Sequence, residues 1–124
     1  MDVLAKGVFV GKWKSFKLFR SSGEIKLNSD QAFKEFIFSA DGTLIIEIHK
    51  GLNIERIVET KEWSIELSNK RHYLKVAAHN LIYEVISVNH TILVLLDSST
   101  KDKIFFAIEA HWNSFLQSNK LYSF

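Results

Sequence analysis

The sequence predicts an all-β domain, an antiparallel up-and-down barrel of eight strands. Short runs rich in β-branched and aromatic residues follow one another between about residues 11 and 109. The links between these runs are short and consist mostly of turn-forming residues. No long segment with a helical period separates the runs. Because short links make successive strands antiparallel neighbours, the runs should form a meander.

Each predicted strand is bounded by a turn signal. Ala40-Asp41-Gly42 separates the second run from the third, and Gly51 separates the third from the fourth, so that glycine occupies positions where a positive φ is needed. Asn, Ser, His and Asp separate the later runs. The runs are Lys12 to Arg20, Phe33 to Ser39, Thr43 to Lys50, Ile54 to Thr60 continuing into Glu62 to Leu67, His72 to Ala77, Leu81 to Val88, Thr91 to Leu96, and Lys103 to Glu109.

The sequence does not decide the secondary structure of two segments. A short helix over residues 29–35, capped by Asn28, Ser29 or Asp30, competes with a strand in the same place. The tail, residues 110–124, is expected to form a helix or an extra strand. Proline is absent, so an exposed strand edge would lack a common form of protection, whereas a closed barrel has no edge to protect.

Length and composition limit the classes of protein that remain. The 124 residues make one domain, residues 1–124, with a barrel core over 11–109. A hydrophobic fraction of 47% and a charged fraction of 24% exclude a disordered chain. The net charge of +2 is too small to indicate a nucleic-acid or membrane partner. Cysteine is absent, which excludes thiol chemistry, and without a signal-like or membrane-spanning segment we expect a cytoplasmic protein.

Alternation along the runs indicates one apolar and one mostly polar face. The apolar sets are Leu44, Ile46 and Ile48; Trp63, Ile65 and Leu67; and Ile104, Phe106 and Ile108. The run Thr91 to Leu96 is apolar on both faces, so its outer side needs a cover. The tail, with Trp112, Phe115 and Leu116, is one candidate cover, and a homodimer interface is the other.

Polar members of the predicted inward faces are candidates for orienting a ligand. Lys17 has the same parity as Trp13 and Phe19, and Tyr83 has the same parity as Ser87. A few polar groups in an apolar cavity are what fix a small ligand's orientation. The alternatives are that Lys17 extends to solvent at the barrel mouth and that Tyr83 bonds to the backbone.

Gly11-Lys12-Trp13 and several later segments resemble lipocalins and the bacterial lipocalin-like domains of unassigned function. Gly11-Lys12-Trp13 resembles the Gly-x-Trp signature at the start of the lipocalin barrel. The other matching segments are Phe38 to Thr43, Glu62 to Ile65, Tyr73 to Val76, and Tyr83 to Val88 with Ile92 to Leu95. The resemblance implies a barrel with an internal cavity for an apolar small molecule, with Trp13 closing the barrel floor.

The resulting hypothesis is a non-enzymatic protein that binds a small apolar or amphipathic molecule inside the barrel. The candidate ligand-binding residues are Phe19, Phe36, Phe38, Ile46, Trp63, Tyr83, Leu93, Leu95, Phe106 and Lys17. The alternative is a filled barrel that acts as an interaction or homo-oligomer assembly module. An enzyme is the least favoured class, because no nucleophile elbow or phosphate-binding glycine loop is present.

The five histidines do not form a metal-binding pair at close spacing, so no metal and no cofactor are expected. His49 shares a face with Glu47, which predicts a surface pair. Lysines and aromatic residues mix on the first run, as they do on single-strand nucleic-acid platforms, but Trp13 and Phe19 point away from Lys12 and Lys14. We therefore expect no nucleic-acid partner.

Overall fold

The computed structural model describes residues 4–122, with side chains described as far as residue 118. It contains ten strands, two short 3₁₀ helices and one C-terminal α-helix. The strands are β1 (Gly11–Phe19), β2 (Ile25–Leu27), β3 (Ala32–Phe38), β4 (Leu44–Lys50), β5 (Asn53–Thr60), β6 (Ser64–Ser68), β7 (Arg71–Val76), β8 (Leu81–Val88), β9 (Ile92–Asp97) and β10 (Lys103–Ile108). The 3₁₀ helices are Lys6–Phe9 and Ala77–His79, and the α-helix, α1, is Glu109–Tyr122.

All strands belong to one antiparallel sheet in which the first strand pairs with the last. The order is β5-β4-β3-β1-β10-β9-β8-β7-β6, and β2 pairs with β1 beside this path. Neighbouring strands in this order are antiparallel. Counted outward from β1 on either side, β5 and β6 therefore both run in the direction opposite to that of β1. They are therefore two halves of one bent strand, joined by residues 61–63. The first half pairs with β4 and the second half with β7.

The predicted all-β meander is confirmed. Counted with β5 and β6 as one bent strand, it has the eight expected strands, and β2 is an additional short strand that the sequence did not indicate. The alternative helix over residues 29–35 does not form. A strand begins at Ala32 instead, because alternation places Phe36 and Phe38 in the barrel core and Phe33 on the opposite face.

Trp63 secures the bend between β5 and β6. Its side chain is 5% exposed, and its indole N–H donates to the carbonyl of Gly42 at 2.8 Å. Its ring meets Phe38 edge-on, with ring centroids 5.1 Å apart. The bend is thus attached to the turn between β3 and β4, which brings the two ends of the strand order towards each other.

The barrel floor is closed by the first 3₁₀ helix. Phe9 is fully buried and packs against Phe38, with ring centroids 5.5 Å apart. Trp13 is 1% exposed and its indole N–H donates to the carbonyl of Phe9 at 2.8 Å. Trp13 and Phe9 together fill this end of the interior.

The tail forms a helix, one of the two expected alternatives. It packs mainly on the outer faces of β1 and β10, because β10 runs directly into α1 and the helix folds back over its own strand. Trp112 donates its indole N–H to the carbonyl of Ser15 at 3.0 Å. The outer cluster beneath the helix consists of Phe16, Phe33, Ala107, Trp112 and Leu116. No helix in residues 4–122 is long and apolar enough to cross a membrane.

Candidate functional site

Most of the predicted ligand-binding side chains lie together inside the barrel, where they contact one another. Phe36 lies at their centre, with ring centroids 5.0 Å from Phe106 and 5.5 Å from Tyr83. The members of this buried cluster are Phe36, Phe38, Ile46, Trp63, Tyr83, Leu93, Leu95 and Phe106. In this structure these side chains form the packed core of the barrel.

Lys17 and Phe19 lie on the outer face, contrary to the predicted parity. Ser15 pairs with Phe106 and Lys17 pairs with Phe105, so Phe16 is an extra residue that forms a β-bulge. Beyond the bulge the alternation is reversed. The ammonium of Lys17 lies 5.1 Å from the ring centroid of Phe19 and 5.0 Å from that of Phe105, while the next residue, Leu18, packs against the core.

A second bulge moves Ser87 off the predicted inward face. Val85 pairs with Leu95 and Ser87 pairs with Val94, which leaves Ile86 as the extra residue. Ser87 is exposed, and Val88 packs against the core in its place. A fixed two-residue period cannot reveal such an insertion, so both polar side chains beyond a bulge were assigned to the wrong face.

The bulge in β1 also opens a pocket. Direct pairing of β1 with β3 ends at Lys14 and Glu35, and β1 then pairs with β2. Where the strands separate, the backbone N–H of Lys34 donates to Ser15 Oγ at 2.8 Å. The backbone N–H of Asn28 donates to the carbonyl of Phe16 at 3.1 Å. Between β1 and β3 there remains a pocket of about 230 Å³ at the mouth of the barrel, which we call the mouth pocket.

The mouth pocket combines an apolar wall with a few polar groups. Leu18, Ile48 and Ile104 supply aliphatic surface, and Asn28 and Lys34 supply polar atoms. The complete lining is Ser15, Leu18, Lys26, Leu27, Asn28, Ser29, Ala32, Phe33, Lys34, Ile48, His49, Lys50 and Ile104. None of the predicted ligand-binding residues is among them.

Lys34 is the inward-facing cation of this structure, the role that the sequence assigned to Lys17. It shares the inner face of β3 with Phe36 and Phe38, and its partner on β4 is Ile48. Burial lowers the pKa of the Lys34 ammonium, and the negative charges of Asp97 and Asp102 partly offset that effect. Within the part of the chain that the structure describes, no group is within hydrogen-bond or ion-pair distance of this ammonium.

Asn28 presents a second unsatisfied group to the same region. Its side-chain N–H donates to the carbonyl of Ala32 at 3.2 Å, but its Oδ1 is buried without a hydrogen-bond partner among the described residues. A buried acceptor without a donor costs about 1–3 kcal/mol. The mouth pocket therefore has one cation without a bonded partner, and an unpaired acceptor is buried in its wall, among the described residues.

Tyr83 and Asp97 are partners across β8 and β9, and neither of them lines the mouth pocket. Burial raises the pKa of the Tyr83 phenol, and the nearby charge of Asp97 raises it further, so the phenol is neutral at physiological pH. Burial also tends to raise the pKa of Asp97, but hydrogen bonds from Ser99 and Thr100 outweigh it and the pKa falls below its ordinary value. Asp97 is thus ionised at neutral pH, and its negative charge acts on Lys34.

A wider hollow of about 650 Å³ lies on the outer side of the floor. It is bounded by the first 3₁₀ helix and the turn between β8 and β9, with Val8, Val10, Trp13 and His90 among its walls. Val8 and Val10 are nearly half exposed. In the described part of the chain, no buried charged side chain lines the hollow, so its lining indicates less about the chemistry of a ligand than that of the mouth pocket does.

No family model, curated protein or solved structure matches this chain.

Proposed function

We propose that this protein binds a small amphipathic molecule with an acidic head group in the mouth pocket, and that it does so without catalysing a reaction. The observation that carries the proposal is Lys34, a partly buried ammonium that lines an apolar pocket and lacks a bonded partner among the described residues. An acidic head would supply the missing partner, and charge-assisted hydrogen bonds of this kind are worth about 1.5–3 kcal/mol.

The dimensions of the mouth pocket limit the size of the molecule. Its volume of about 230 Å³ is below the range of roughly 300–1,000 Å³ that is common for drug-sized ligands. A short aliphatic or aromatic acid fits this volume better than a long lipid does. Its apolar part would pack on Leu18, Ile48 and Ile104, and each Å² buried there contributes about 25 cal/mol.

The proposal modifies the site that the resemblance to lipocalins implies. A ligand in the centre of the barrel would have to displace the rings of Phe36 and Phe106, whereas one in the mouth pocket would displace no core side chain. Membership of the lipocalin-like group and a cytoplasmic location are part of the same proposal. The Gly-x-Trp segment, the antiparallel meander and the pairing of the first strand with the last support the membership.

Calorimetric titration with hexanoate and benzoate tests the proposal, with hexanamide as the uncharged control. We expect both acids to bind and the amide to bind at least tenfold more weakly. Lys34→Met should weaken acid binding at least about tenfold, the equivalent of one charge-assisted contact. Lys17→Met removes the same charge from the outer face and should leave affinity unchanged. Acids that do not bind, or equal losses in the two variants, would exclude the mouth pocket as an anion site.

A second candidate function is homo-oligomer assembly through the outer face of β8. Ile82 and Ile86 lie on this face and are 41% and 42% exposed, so two aliphatic side chains of β8 are accessible to a partner. Sedimentation equilibrium at high micromolar concentration tests this alternative. A monomer under these conditions would rule it out, and a dimer that Ile86→Glu dissociates while Ile54→Glu does not would support it.

A further inference from the structure

Three metal-ligating side chains meet on the outer face of β3 and β4. Glu35 and Glu47 are direct partners across the two strands, and His49 follows Glu47 on the same face of β4. Glu35 is 5% exposed and Glu47 is 9% exposed, so both carboxyl groups are buried. The sequence predicted only a surface pair of Glu47 and His49; the register of β3 adds Glu35 to it.

The ligand atoms are already at the spacing of a coordination shell. Glu35 Oε1 lies 3.1 Å from His49 Nε2, and Glu47 Oε1 lies 3.7 Å from the same nitrogen. All three atoms are within 4.8 Å of one another. Donors that hold Zn²⁺ at 2.0–2.2 Å in tetrahedral geometry are separated from each other by about 3.3–3.6 Å. An ion could therefore be bound with only small movements of the side chains.

Neighbouring side chains hold two of these groups in position. The imidazole of His49 stacks on Phe33, with ring centroids 4.3 Å apart and planes inclined by 12°, and Phe33 in turn packs against Trp112. Arg56 binds the other carboxylate oxygen of Glu47, Oε2, with its Nε at 3.0 Å and its terminal nitrogen at 2.9 Å. Glu47 Oε1 is left facing His49. Such outer contacts are what orient the ligands in metal sites.

The charges at this position do not balance without a further cation. Carboxylates directly opposite each other on neighbouring strands repel. Arg56 compensates Glu47, but in the described residues no lysine or arginine forms an ion pair with Glu35. Lys14, the partner of Glu35 on β1, instead pairs with Glu109 at 3.3 Å. A bound divalent cation would complete the balance.

We propose that Glu35, Glu47 and His49 form a binding site for a divalent transition-metal ion of the Zn²⁺ class. One imidazole nitrogen with two carboxylate oxygens suits Zn²⁺ and Co²⁺, whereas Ca²⁺ and Mg²⁺ prefer oxygen ligands alone. Three protein ligands leave a fourth position for water. His49 also lines the mouth pocket, which gives the ion a route from solvent. This site does not depend on the proposed binding of an acid.

The test begins with wild-type protein freed of metal by dialysis against a chelator. Calorimetric titration with Zn²⁺ should give one ion per chain, and Co²⁺ should give the visible absorption of a four-coordinate complex. Glu35→Gln and His49→Gln should each weaken Zn²⁺ binding at least about tenfold, since each removes one of three ligands. His90→Gln, which alters an exposed histidine in a turn, is the matched control and should bind like wild type.

Three results would overturn the metal site: no binding by wild type, unchanged affinity in both ligand variants, or an equal loss in His90→Gln. Circular dichroism establishes whether each variant is folded before it is titrated. If a ligand variant does not fold, wild-type NMR still decides the question, because substoichiometric Mn²⁺ should selectively broaden the backbone amide signals of residues 35, 47 and 49. Broadening confined to His72, His79, His90 or His111 would contradict the proposal.

Discussion

The side chain of Ser15 accepts a hydrogen bond from the backbone N–H of Lys34 at 2.8 Å, where β1 and β3 stop pairing directly. Ser15 is 2% exposed, and its own carbonyl accepts the indole N–H of Trp112. One small residue thus connects two strands and the C-terminal helix at the edge of the mouth pocket.

Ser15→Ala should lower the free energy of unfolding by about 1–3 kcal/mol, because it leaves the N–H of Lys34 without an acceptor in a part-buried position. Urea denaturation measures the change. Ser87→Ala provides the control, since Ser87 is exposed at the bulge in β8 and its loss should change stability by less than about 0.5 kcal/mol. Equal effects would mean that the Ser15 hydroxyl does not connect the strands.

Gly11→Ala should destabilise the fold more than Gly23→Ala. Both glycines have a positive φ, +142° and +95°, so both substitutions incur backbone strain of the order of 1 kcal/mol. Only at Gly11 would the new methyl group meet another side chain. It would lie 2.6 Å from Ile108 Cδ1, so the end of the Ile108 side chain would have to move, while at Gly23 it would enter open space. Thermal melting of the two variants gives the comparison. A larger loss at Gly23 would contradict the close contact between Gly11 and Ile108.

Phe36→Ala and Phe19→Ala compare the loss of an aromatic side chain in the core with the loss of one on the outer face. Phe36 is fully buried among other aromatic rings, so its truncation should cost about 3–5 kcal/mol. Phe19 lies on the outer face against Phe105 and should cost clearly less. Urea denaturation with both variants is sufficient, and a loss at Phe19 as large as that at Phe36 would place Phe19 in the core after all.

Lys34 should make stability depend on pH below its ordinary pKa of 10.5. Burial lowers the pKa of Lys34 in the folded state, so in the window between the two values the unfolded chain binds more protons and stability rises with pH. Lys34→Met should therefore be more stable than wild type at neutral pH, by a margin that shrinks as pH approaches 10. Above pH 10 the raised pKa of Tyr83 has the opposite effect, because only the unfolded chain then ionises its phenol.

Denaturant titration of wild type and Lys34→Met from pH 7 to 9.8 measures this margin. The difference between the two proteins cancels most contributions from other groups, and Lys17→Met serves as a control that should show no such trend. A margin that is constant over the whole range would show that Lys34 has the same pKa in the folded and unfolded states.

Residue alternation predicted most of the fold. Leu44 and Ile46 on β4 and Leu93 and Leu95 on β9 face the core as their two-residue period requires, and short turns made neighbouring strands antiparallel. The bent strand was visible as one long run from residue 54 to 67. Its division at residues 61–63 became evident only from the different partners of its two halves, β4 and β7.

The candidate sites were harder to predict because both depend on exceptions to regular alternation or on register. The bulge at Phe16 exchanged the faces of Lys17 and Leu18, and no residue in β1 signals where an insertion occurs. Lys34 was overlooked because the segment around it was left between helix and strand. Glu35 meets Glu47 only through the register between β3 and β4, which a single sequence does not specify.

The bend at residues 61–63 has a consequence for how the interior is reached. Within residues 4–122 the ladder begins at β5 and finishes at β6, and no strand pairing joins the two. The curled sheet can therefore widen along this seam without breaking an interstrand hydrogen bond. The backbone of residues 61–63 limits that movement, and so do the hydrogen bond from Trp63 to the Gly42 carbonyl and the packing of Trp63 on Phe38. Backbone amides along the seam should then exchange with solvent ahead of those in β1 and β10, whose pairing would have to break first.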